Sequence, residues 1–286
     1  LIYKDKFYIS YTNELKKNCY NTAILVAELN IERLFFEKFF VPKDCVKTEN
    51  TANEYSPHQS GGRMFPYKDN KILFSVGEYR FRDHAQDRES IFGKILSIDV
   101  IKNDYEIISM GHRNPQGIFY DEKENIIFIT EHGPAGGDEI NINISPGDEI
   151  ENFGWAISSY GEHYEKKNKK YKKWPLYKSH KDYGFIEPIK YFTPSIAISE
   201  IISISQNFNK IRDKQIFVAS MGNAIDEGDL SLHHFVMDKN FKIKNHNILK
   251  IGERIRDIIY IKKLNKIFLF LESSASIGIL EADYTK

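Results

Sequence analysis

Short hydrophobic stretches alternate with polar turns along the whole chain. Five of these stretches share one pattern, in which a turn rich in Asp, Asn and Lys precedes four to six β-branched or aromatic residues. They are YKDKFYISYT from Tyr3, YKDNKILFSVGE from Tyr67, DEKENIIFITEHG from Asp121, IRDKQIFVASMG from Ile211 and KKLNKIFLFLES from Lys262. Because Asp and Asn tolerate tight-turn backbone and β-branched residues suit strands, each pattern predicts a β-hairpin.

A further alternating strand follows most of these hairpins, as in TAILVAEL, GKILSIDV and LHHFVMD. Repeating four-stranded units of about 40–50 residues are typical of β-propellers, in which radial closure leaves only short sheet edges. An irregular β-sandwich could contain similar strands, but five repeats of one pattern favour the propeller. The sequence therefore predicts an all-β fold in which residues 1–286 form a single β-propeller domain.

The longest interval between the repeats, at about residues 156–190, contains a segment rich in Lys and Tyr. A run of lysines can bind anions, but here Glu and Tyr residues are interleaved with them, which is more typical of a solvated face. We therefore expect a surface insertion in this interval, with a solvated loop at 161–184.

Composition argues against several classes of function. Forty basic and forty acidic residues cancel, so no global field favours nucleic acid or an anionic membrane. There is no apolar run of about eighteen residues that would span a membrane, and no Gly-rich strand-to-helix fingerprint of a nicotinamide enzyme. Cys19 and Cys45 are too few for a disulfide scaffold, and we interpret them as unpaired thiols.

Polar side chains that could perform chemistry lie in four loops at predicted strand ends. They are His58 in SPHQSGGRMF, Glu78 in FSVGEYRFRDHAQD, His112, Arg113 and Asn114 in GHRNPQG, and Arg254 and Arg256 in GERIRD. A neutral histidine with a carboxylate partner is the minimal general-base arrangement, and arginines can bind carboxylates or polarise a carbonyl. Each residue alone has an ordinary structural explanation, such as local ion pairs between the two arginines of GERIRD and the neighbouring acids. Because loops at one end of a propeller converge, we expect the four loops to face one pocket.

The motifs HQSGGR, GEYRFRDHAQDRESIFGKIL, GHRNPQG, EHGPAGGDEIN, NFGWAISSYG, YFTPSIAIS and GERIRD occur in this order. Together they resemble the soluble pyrroloquinoline quinone (PQQ)-dependent sugar dehydrogenases of the glucose/sorbosone dehydrogenase family, and most closely its aldose sugar dehydrogenase branch. The resemblance extends from about residue 1 to residue 284, and its most specific part is the pair GHRNPQG and EHGPAGGDEIN. It implies a six-bladed propeller that holds PQQ and a calcium ion above its channel.

The resemblance also implies catalytic roles for His58, Glu78 and Arg113 and a cofactor contact for Asn114. His58 would accept the proton of the sugar's anomeric hydroxyl while a hydride passes to the quinone, and Glu78 would orient His58. Arg113 and Asn114 would contact the quinone, with Arg113 stabilising negative charge that develops on its reduced oxygen. Glu78 departs from the family pattern, which usually has Asp at this position.

Four further residues would bind the cofactors by the same resemblance. Arg254 and Arg256 would hold the carboxylates of the quinone, and Gly133 and Pro134 would offer backbone carbonyls to calcium, which prefers oxygen ligands. The segment SMGNAI lacks the lysine with which the glucose dehydrogenase branch contacts the cofactor.

The expected function is therefore a quinoprotein dehydrogenase that oxidises an aldose at C1 and passes electrons to an external acceptor, in the periplasm or outside the cell. The alternative is a non-catalytic propeller that binds a sugar or a protein. Five hairpin patterns stand where the family has six blades, and the first blade of the family would lie before Leu1. We therefore expect the chain to be an N-terminally truncated fragment with about five blades.

Overall fold

The computed structural model describes residues 1–50, 54–165 and 169–283. These residues form five mainly antiparallel sheets that are arranged as successive blades of a β-propeller. The first strands of blades 2 to 5 contact one another in order, and blade 1 contacts blade 2 through its second strand. The predicted all-β propeller with five blades is therefore confirmed, and the inner strands position the candidate loops.

Blades 1 and 2 contain five strands each. Blade 1 consists of β1 (Ile2–Tyr3), β2 (Lys6–Lys16), β3 (Cys19–Glu28), β4 (Glu37–Phe40) and β5 (Val46–Lys47). Blade 2 consists of β6 (Gly61–Tyr67), β7 (Lys71–Val76), β8 (Lys94–Asp99), β9 (Tyr105–Met110) and the late strand β13 (Glu151–Asn152). Because β13 pairs in parallel with β9, the chain returns to blade 2 before it completes blade 3.

The remaining blades contain four, four and three strands. Blade 3 consists of β10 (Pro115–Asp121), β11 (Ile126–Glu131), β12 (Asp138–Asn143) and β14 (Lys190–Phe192). Blade 4 consists of β15 (Ile198–Ile204), β16 (Lys214–Ser220), β17 (Ser231–Met237) and β18 (Ile243–Lys250). Blade 5 consists of β19 (Ile255–Ile261), β20 (Lys266–Leu271) and β21 (Ser276–Leu280).

Helical segments are short. The structure has one α-helical turn, α1 (Asp83–Gln86), and three 3₁₀ turns at Lys169–Lys173, Lys181–Tyr183 and Ile225–Glu227. Within the described residues, none of these helices has the length and apolar character needed to cross a membrane.

The core lies between the blades, because side chains on successive strand positions face opposite neighbours. In β7, Phe74 packs with Ile24 of blade 1, whereas the adjacent Leu73 packs with Ile118 and Ile129 of blade 3. Burying each of these apolar side chains stabilises the fold by about 1.5–3 kcal/mol. The hydrophobic residues of the sequence patterns therefore attach each blade to both of its neighbours.

The insertion is more closely packed than the sequence indicated. Tyr171, Trp174 and Leu176 are buried against Trp155 and Ala85. The prediction of a solvated loop is therefore wrong for these apolar residues, although the lysines at 169, 170, 172 and 173 are exposed. Residues 166–168 of the predicted loop lie outside the described residues.

Cys19 and Cys45 form a disulfide bond. Strand β5 returns to the start of β3 and pairs Lys47 with Cys19, which places Cys45 beside its partner. The interpretation of the two cysteines as unpaired thiols is therefore wrong, because their separation of 26 residues is closed by this strand pairing.

Blade 5 has one covered face and one open face. Ile258 and Leu269 are buried against blade 4, whereas Ile259, Phe270 and Ile277 on the opposite face are 58%, 43% and 58% exposed. The expectation of a further blade before Leu1, which could cover such a face, stays a prediction.

Candidate active site

The candidate site begins where the loop before β6 runs against the loop after β7. The backbone amides of Gly77 and Tyr79 donate to the carbonyls of Ser60 and Gln59, each at 3.0 Å. A Cβ atom on Gly77 would lie 2.2 Å from the Gln59 carbonyl oxygen, so only glycine permits this approach. The glycine in the segment SVGE therefore places Gln59 beside Glu78.

Glu78 is buried, and Gln59 connects it to Arg113. The Oε1 atom of Glu78 accepts a hydrogen bond from the backbone amide of Arg80 at 3.0 Å. In the amide orientation that satisfies its neighbours, Gln59 donates to Glu78 Oε1 at 2.6 Å. Its amide oxygen then accepts from Arg113 Nη2 at 2.8 Å and from Arg80 Nε at 3.0 Å. A single amide side chain therefore links one carboxyl group and two guanidinium groups.

The environment of Glu78 favours its protonated form. Burial raises the pKa of this carboxyl group to about 7, although the charges of Arg113 and Arg82 lower it. A carboxyl group that titrates near neutral pH next to a guanidinium group can hold or release a proton under working conditions.

Contacts of its backbone amide and of its guanidinium group hold the Arg113 side chain in one orientation. Its Nη1 atom donates to the carbonyls of His132 and Gly133 at 2.9 and 2.6 Å, and its backbone amide donates to Glu131 Oε2 at 2.8 Å. The guanidinium carbon lies 5.4 Å from the ring centre of Trp155, which is a cation–π distance. The side chain is therefore held in place before any ligand binds.

Asn114 connects the blade 3 loop to the blade 2 loop. Its Oδ1 atom accepts hydrogen bonds from the backbone amide of Gly61 and from Gln116 Nε2, both at 3.1 Å. Its Nδ2 atom donates to the carbonyl of His58 at 3.3 Å. The structure therefore brings Arg113 and Asn114 together with the loop that carries His58.

His58 itself is exposed, and within the described residues no hydrogen bond joins its imidazole to Glu78. His58 and Gln59 are consecutive in a non-helical segment, so their side chains point in different directions. Gln59 therefore occupies the position beside Glu78 that the sequence analysis gave to His58. The role of Glu78 in orienting His58 stays a prediction.

Buried polar side chains support the loop that carries Arg113. Ser109 Oγ lies 2.8 Å from His112 Nε2, and His112 Nδ1 lies 3.0 Å from Glu131 Oε1. Asn141 Nδ2 donates to the same oxygen at 2.9 Å. Burial acts to raise the pKa of Glu131, but the charge and hydrogen bond of His112 outweigh it, so this pKa lies below its ordinary value. The carboxylate therefore serves as a common acceptor for several donors.

A second buried pair anchors the insertion to blade 3. His180 Nε2 lies 3.3 Å from Glu139 Oε1, and His180 Nδ1 lies 2.9 Å from the carbonyl oxygen of Phe153. Burial lowers the pKa of His180, but the carboxylate of Glu139 close to its Nε2 atom outweighs this effect and raises the pKa above its ordinary value. The pair therefore fixes the end of the insertion close to the support of Arg113.

Comparison with known proteins shows to which family the chain belongs. The Glucose / Sorbosone dehydrogenase family model matches residues 3–277. The chain belongs to this family. It is 28% identical over 211 residues to the aldose sugar dehydrogenase YliI of Escherichia coli, a match that covers 69% of the chain and 53% of that protein. It is 29% identical over 221 residues to the uncharacterized protein slr1608 of Synechocystis, covering 69% and 50%. The chain thus spans about half the length of these curated relatives.

Solved structures of low sequence identity share the fold. A crystal structure of glucose dehydrogenase superimposes with a TM-score of 0.76 at 22% identity, covering 98% of this chain and 79% of the other. The PQQ-bound form of an aldose sugar dehydrogenase from Streptomyces coelicolor superimposes with a TM-score of 0.65 at 19% identity, covering 97% and 75%. These similarities support the propeller assignment.

The two arginines of the GERIRD motif lie on blade 5, where they share one acid. Arg256 Nε and Nη2 lie 2.9 and 2.8 Å from Glu272 Oε2, and Arg254 Nη2 lies 3.7 Å from the same oxygen. Burial lowers the pKa of His132, and the charges of Arg113 and Arg256 both act in the same direction. The roles of Arg254 and Arg256 at the predicted site stay a prediction.

The guanidinium groups of the candidate site suit the carboxylates of a quinone. The oxygen atoms of the site do not form a set that calcium would bind. Arg113, Arg254 and Arg256 are suitable donors for carboxylates. The carbonyl of Gly133 already accepts from Arg113, and two carbonyls are far fewer than the 6–8 oxygens that calcium takes. Among the described residues, no group of three or more His, Cys, Asp or Glu side chains could hold a metal ion. The calcium role of Gly133 and Pro134 stays a prediction.

Sequence reasoning missed four residues of the site and its support: Gln59, Glu131, Glu139 and His180. The segment EHGPAGGDEIN was compatible with solvated acids, yet Glu131 and Glu139 lie in strands in which every residue is buried. An acid within an apolar strand pattern could have indicated a buried polar network, because a buried carboxylate needs partners.

Proposed function

We propose that this chain is part of a PQQ-dependent dehydrogenase that oxidises an aldose sugar at C1 and transfers electrons to an external acceptor. The observation that carries this proposal is the convergence of Glu78, Arg113 and Asn114 with the His58 loop, in a member of the glucose/sorbosone dehydrogenase family. One of its relatives is an aldose sugar dehydrogenase, which supports the substrate class. PQQ, when bound, supplies the two-electron acceptor.

In this proposal, the residues of the chain bind, orient and exchange a proton. The exposed imidazole of His58 accepts the proton of the anomeric hydroxyl, since a neutral histidine is a base near working pH. Arg113 would present a fixed positive charge to the quinone oxygen on which negative charge develops. Asn114 holds the blade 3 loop to the blade 2 loop that carries His58. Gln59 keeps the Glu78 carboxyl group and the Arg113 guanidinium in fixed relation.

The proposed location is periplasmic or secreted. The Cys19–Cys45 disulfide supports it, because disulfides persist in oxidising compartments and are rare in the cytosol of mesophiles. The alternative function, a propeller that binds a sugar or protein without catalysis, is favoured only by the ion pairs that engage Arg254 and Arg256.

The test is aldose-dependent reduction of an artificial dye by the full-length protein supplied with PQQ and calcium. His58→Ala should lower kcat by about 10²–10⁴-fold, the usual contribution of general-base catalysis, while the calorimetric affinity for PQQ changes little. Because His58 is exposed, the variant should retain its thermal unfolding midpoint, which serves as the control for folding. A wild-type protein that binds PQQ but reduces no dye with any aldose would instead support the binding function.

A further inference from the structure

A pocket of about 280 Å³ lies between the loop that follows β7 and the insertion. Its walls are formed by three cations, three tyrosines and two acids: Arg80, Arg82, Lys170, Tyr55, Tyr164, Tyr171, Glu54 and Glu165. Pockets for drug-sized ligands occupy about 300–1,000 Å³, so this volume suits a smaller ligand such as a monosaccharide. Tyrosine rings provide both apolar faces and hydroxyl groups, which match the two kinds of surface that a sugar presents.

Two of the cations that line the pocket are already engaged. Arg82 Nη2 lies 3.2 Å from Glu54 Oε2, and Lys170 Nζ lies 2.9 Å from Glu54 Oε1. Arg82 is also enclosed by aromatic rings, with its guanidinium carbon 4.5 Å from the centre of Tyr171 and 5.3 Å from that of Trp174. These interactions keep Arg82 in the wall of the pocket rather than available to a ligand.

Arg80 differs from these two cations. Its Nε atom donates to the Gln59 amide oxygen at 3.0 Å, and its guanidinium carbon lies 5.3 Å from the ring centre of Tyr164. Within the described part of the chain, no carboxylate lies within ion-pair distance of its guanidinium group. The two terminal nitrogens of Arg80 are therefore available to a ligand in the pocket.

The backbone of this loop directs Arg80 into the pocket at some cost. Tyr79 and Arg80 have φ angles of 52° and 64°, so two consecutive residues other than glycine adopt the left-handed conformation. Such a conformation costs roughly 1–2 kcal/mol per residue. The backbone amide of Arg80 returns a hydrogen bond to Glu78 Oε1, so the same turn directs Glu78 inward and Arg80 toward the pocket.

We propose that this pocket is a carboxylate-binding subsite and that the aldose is an acidic sugar, such as a hexuronic acid, whose carboxylate pairs with Arg80. A guanidinium group binds a carboxylate through two parallel hydrogen bonds, and Arg80 has both terminal nitrogens free to form them. Gln59 joins Arg80 to Arg113, so a sugar held at Arg80 lies one side chain from the candidate catalytic residues. The proposal rests on the proposed function and adds the substrate class to it.

Calorimetry with the full-length protein without PQQ tests the subsite independently of turnover. Sodium D-glucuronate should bind at least 10-fold more tightly than D-glucose at matched ionic strength. Arg80→Gln should abolish this preference, and Arg80→Lys should retain part of it because the charge remains but the planar fork is lost. Arg88→Gln is the matched control, since Arg88 is an exposed arginine of the same loop that does not line the pocket. Equal wild-type affinities for the two sugars, or a preference that survives Arg80→Gln, would overturn the proposal even if another variant failed to fold.

Two further measurements separate this proposal from the proposed function. Arg80-dependent glucuronate binding without dye reduction would leave the subsite intact and contradict the dehydrogenase. Dye reduction with neutral aldoses and no preference for glucuronate would support the dehydrogenase and contradict the carboxylate-binding subsite. Because the quinone also carries carboxylates, PQQ is titrated into wild type and Arg80→Gln. A 10-fold loss of PQQ affinity with an unchanged sugar preference would assign Arg80 to the cofactor and overturn the acidic-sugar assignment.

Discussion

The part of the candidate site on blades 2 and 3 differs from the part on blade 5 in burial and in the number of contacts. Glu78, Arg113 and Glu131 are at most 5% exposed, and each is held by at least two hydrogen bonds. The side chains of Arg254 and Arg256 are 32% and 40% exposed, and both pair with the single carboxylate of Glu272. The first part is therefore organised before a ligand binds, whereas the second can exchange its partner for the carboxylate of a ligand.

The surroundings of the two parts differ in the same way. The loops of blades 2 and 3 lie between packed blades and beneath the insertion, which adds Trp155 and Trp174 to their cover. Within the described residues, blade 5 packs against blade 4 through one face, and Ile259 and Phe270 on its other face are exposed. The burial of Glu78 and Arg113 thus follows from the packing of their loops between blades and beneath the insertion.

The largest effect should come from removing Glu131, the hydrogen-bond acceptor that supports the part of the site on blades 2 and 3. Glu131→Ala would leave donors of His112, Arg113 and Asn141 without their acceptor in a buried setting. We expect a loss of about 3–5 kcal/mol in the free energy of unfolding, measured by urea titration. Ser145→Ala serves as a mild control in the exposed loop after β12. A loss below about 1 kcal/mol would show that the network does not hold this part together.

The fold was accessible from the sequence, because local rules determine it. The turns of four predicted hairpins contain residues with positive φ, among them Asp5, Asn70, Asn125 and Asn265. Asp and Asn adopt this conformation more readily than most residues, so the turn positions could be predicted from residue type. The alternation that follows each turn then determines which face of the strand packs against which blade, as for Leu73 and Phe74.

The site was accessible only in part, since side-chain direction and pairing over long distances depend on the assembled fold. The loops that carry Arg113 and Glu78 were predicted to meet, and they do. Gln59 rather than His58 contacts Glu78 because of the path that the loop takes into β6. No periodic pattern in the sequence predicts this path. That Glu272 pairs with both arginines of GERIRD depends on the pairing of β19 with β20, whereas the sequence analysis considered only the acids adjacent to them.

The free energy of unfolding should depend on pH through Glu78 in the buried part of the site, and a neutral residue at this position should remove that dependence. Burial raises the pKa of Glu78 to about 7 from an ordinary value near 4.5. Because the folded pKa lies above the unfolded one, the stability that this group contributes is present at low pH and is lost as pH rises from about 4.5 to 7. Glu78→Gln should therefore have wild-type stability near pH 4.5 and exceed it by up to about 3 kcal/mol above pH 7.

Urea titrations of both proteins between pH 4.5 and 7.5 measure this difference. Burial also raises the pKa of Glu200 to about 7, but Glu200 is present in both proteins and its effect cancels. A difference that stays constant over this range would mean that Glu78 does not change its protonation state there, and its proposed part in holding a proton would be lost.

The smallest effect should come from a substitution on blade 5. Glu272→Gln removes the carboxylate shared by Arg254 and Arg256, and all three side chains are between 32% and 40% exposed. Solvent screening keeps such pairs weak, so the free energy of unfolding should fall by less than about 1 kcal/mol. If the two arginines hold the carboxylates of PQQ, they no longer have to leave Glu272 to bind it, and calorimetry should show a PQQ affinity that is unchanged or a few-fold higher. A PQQ affinity that falls 10-fold would mean that Glu272 holds the arginines in their binding geometry, so that blade 5 is as organised before binding as blades 2 and 3.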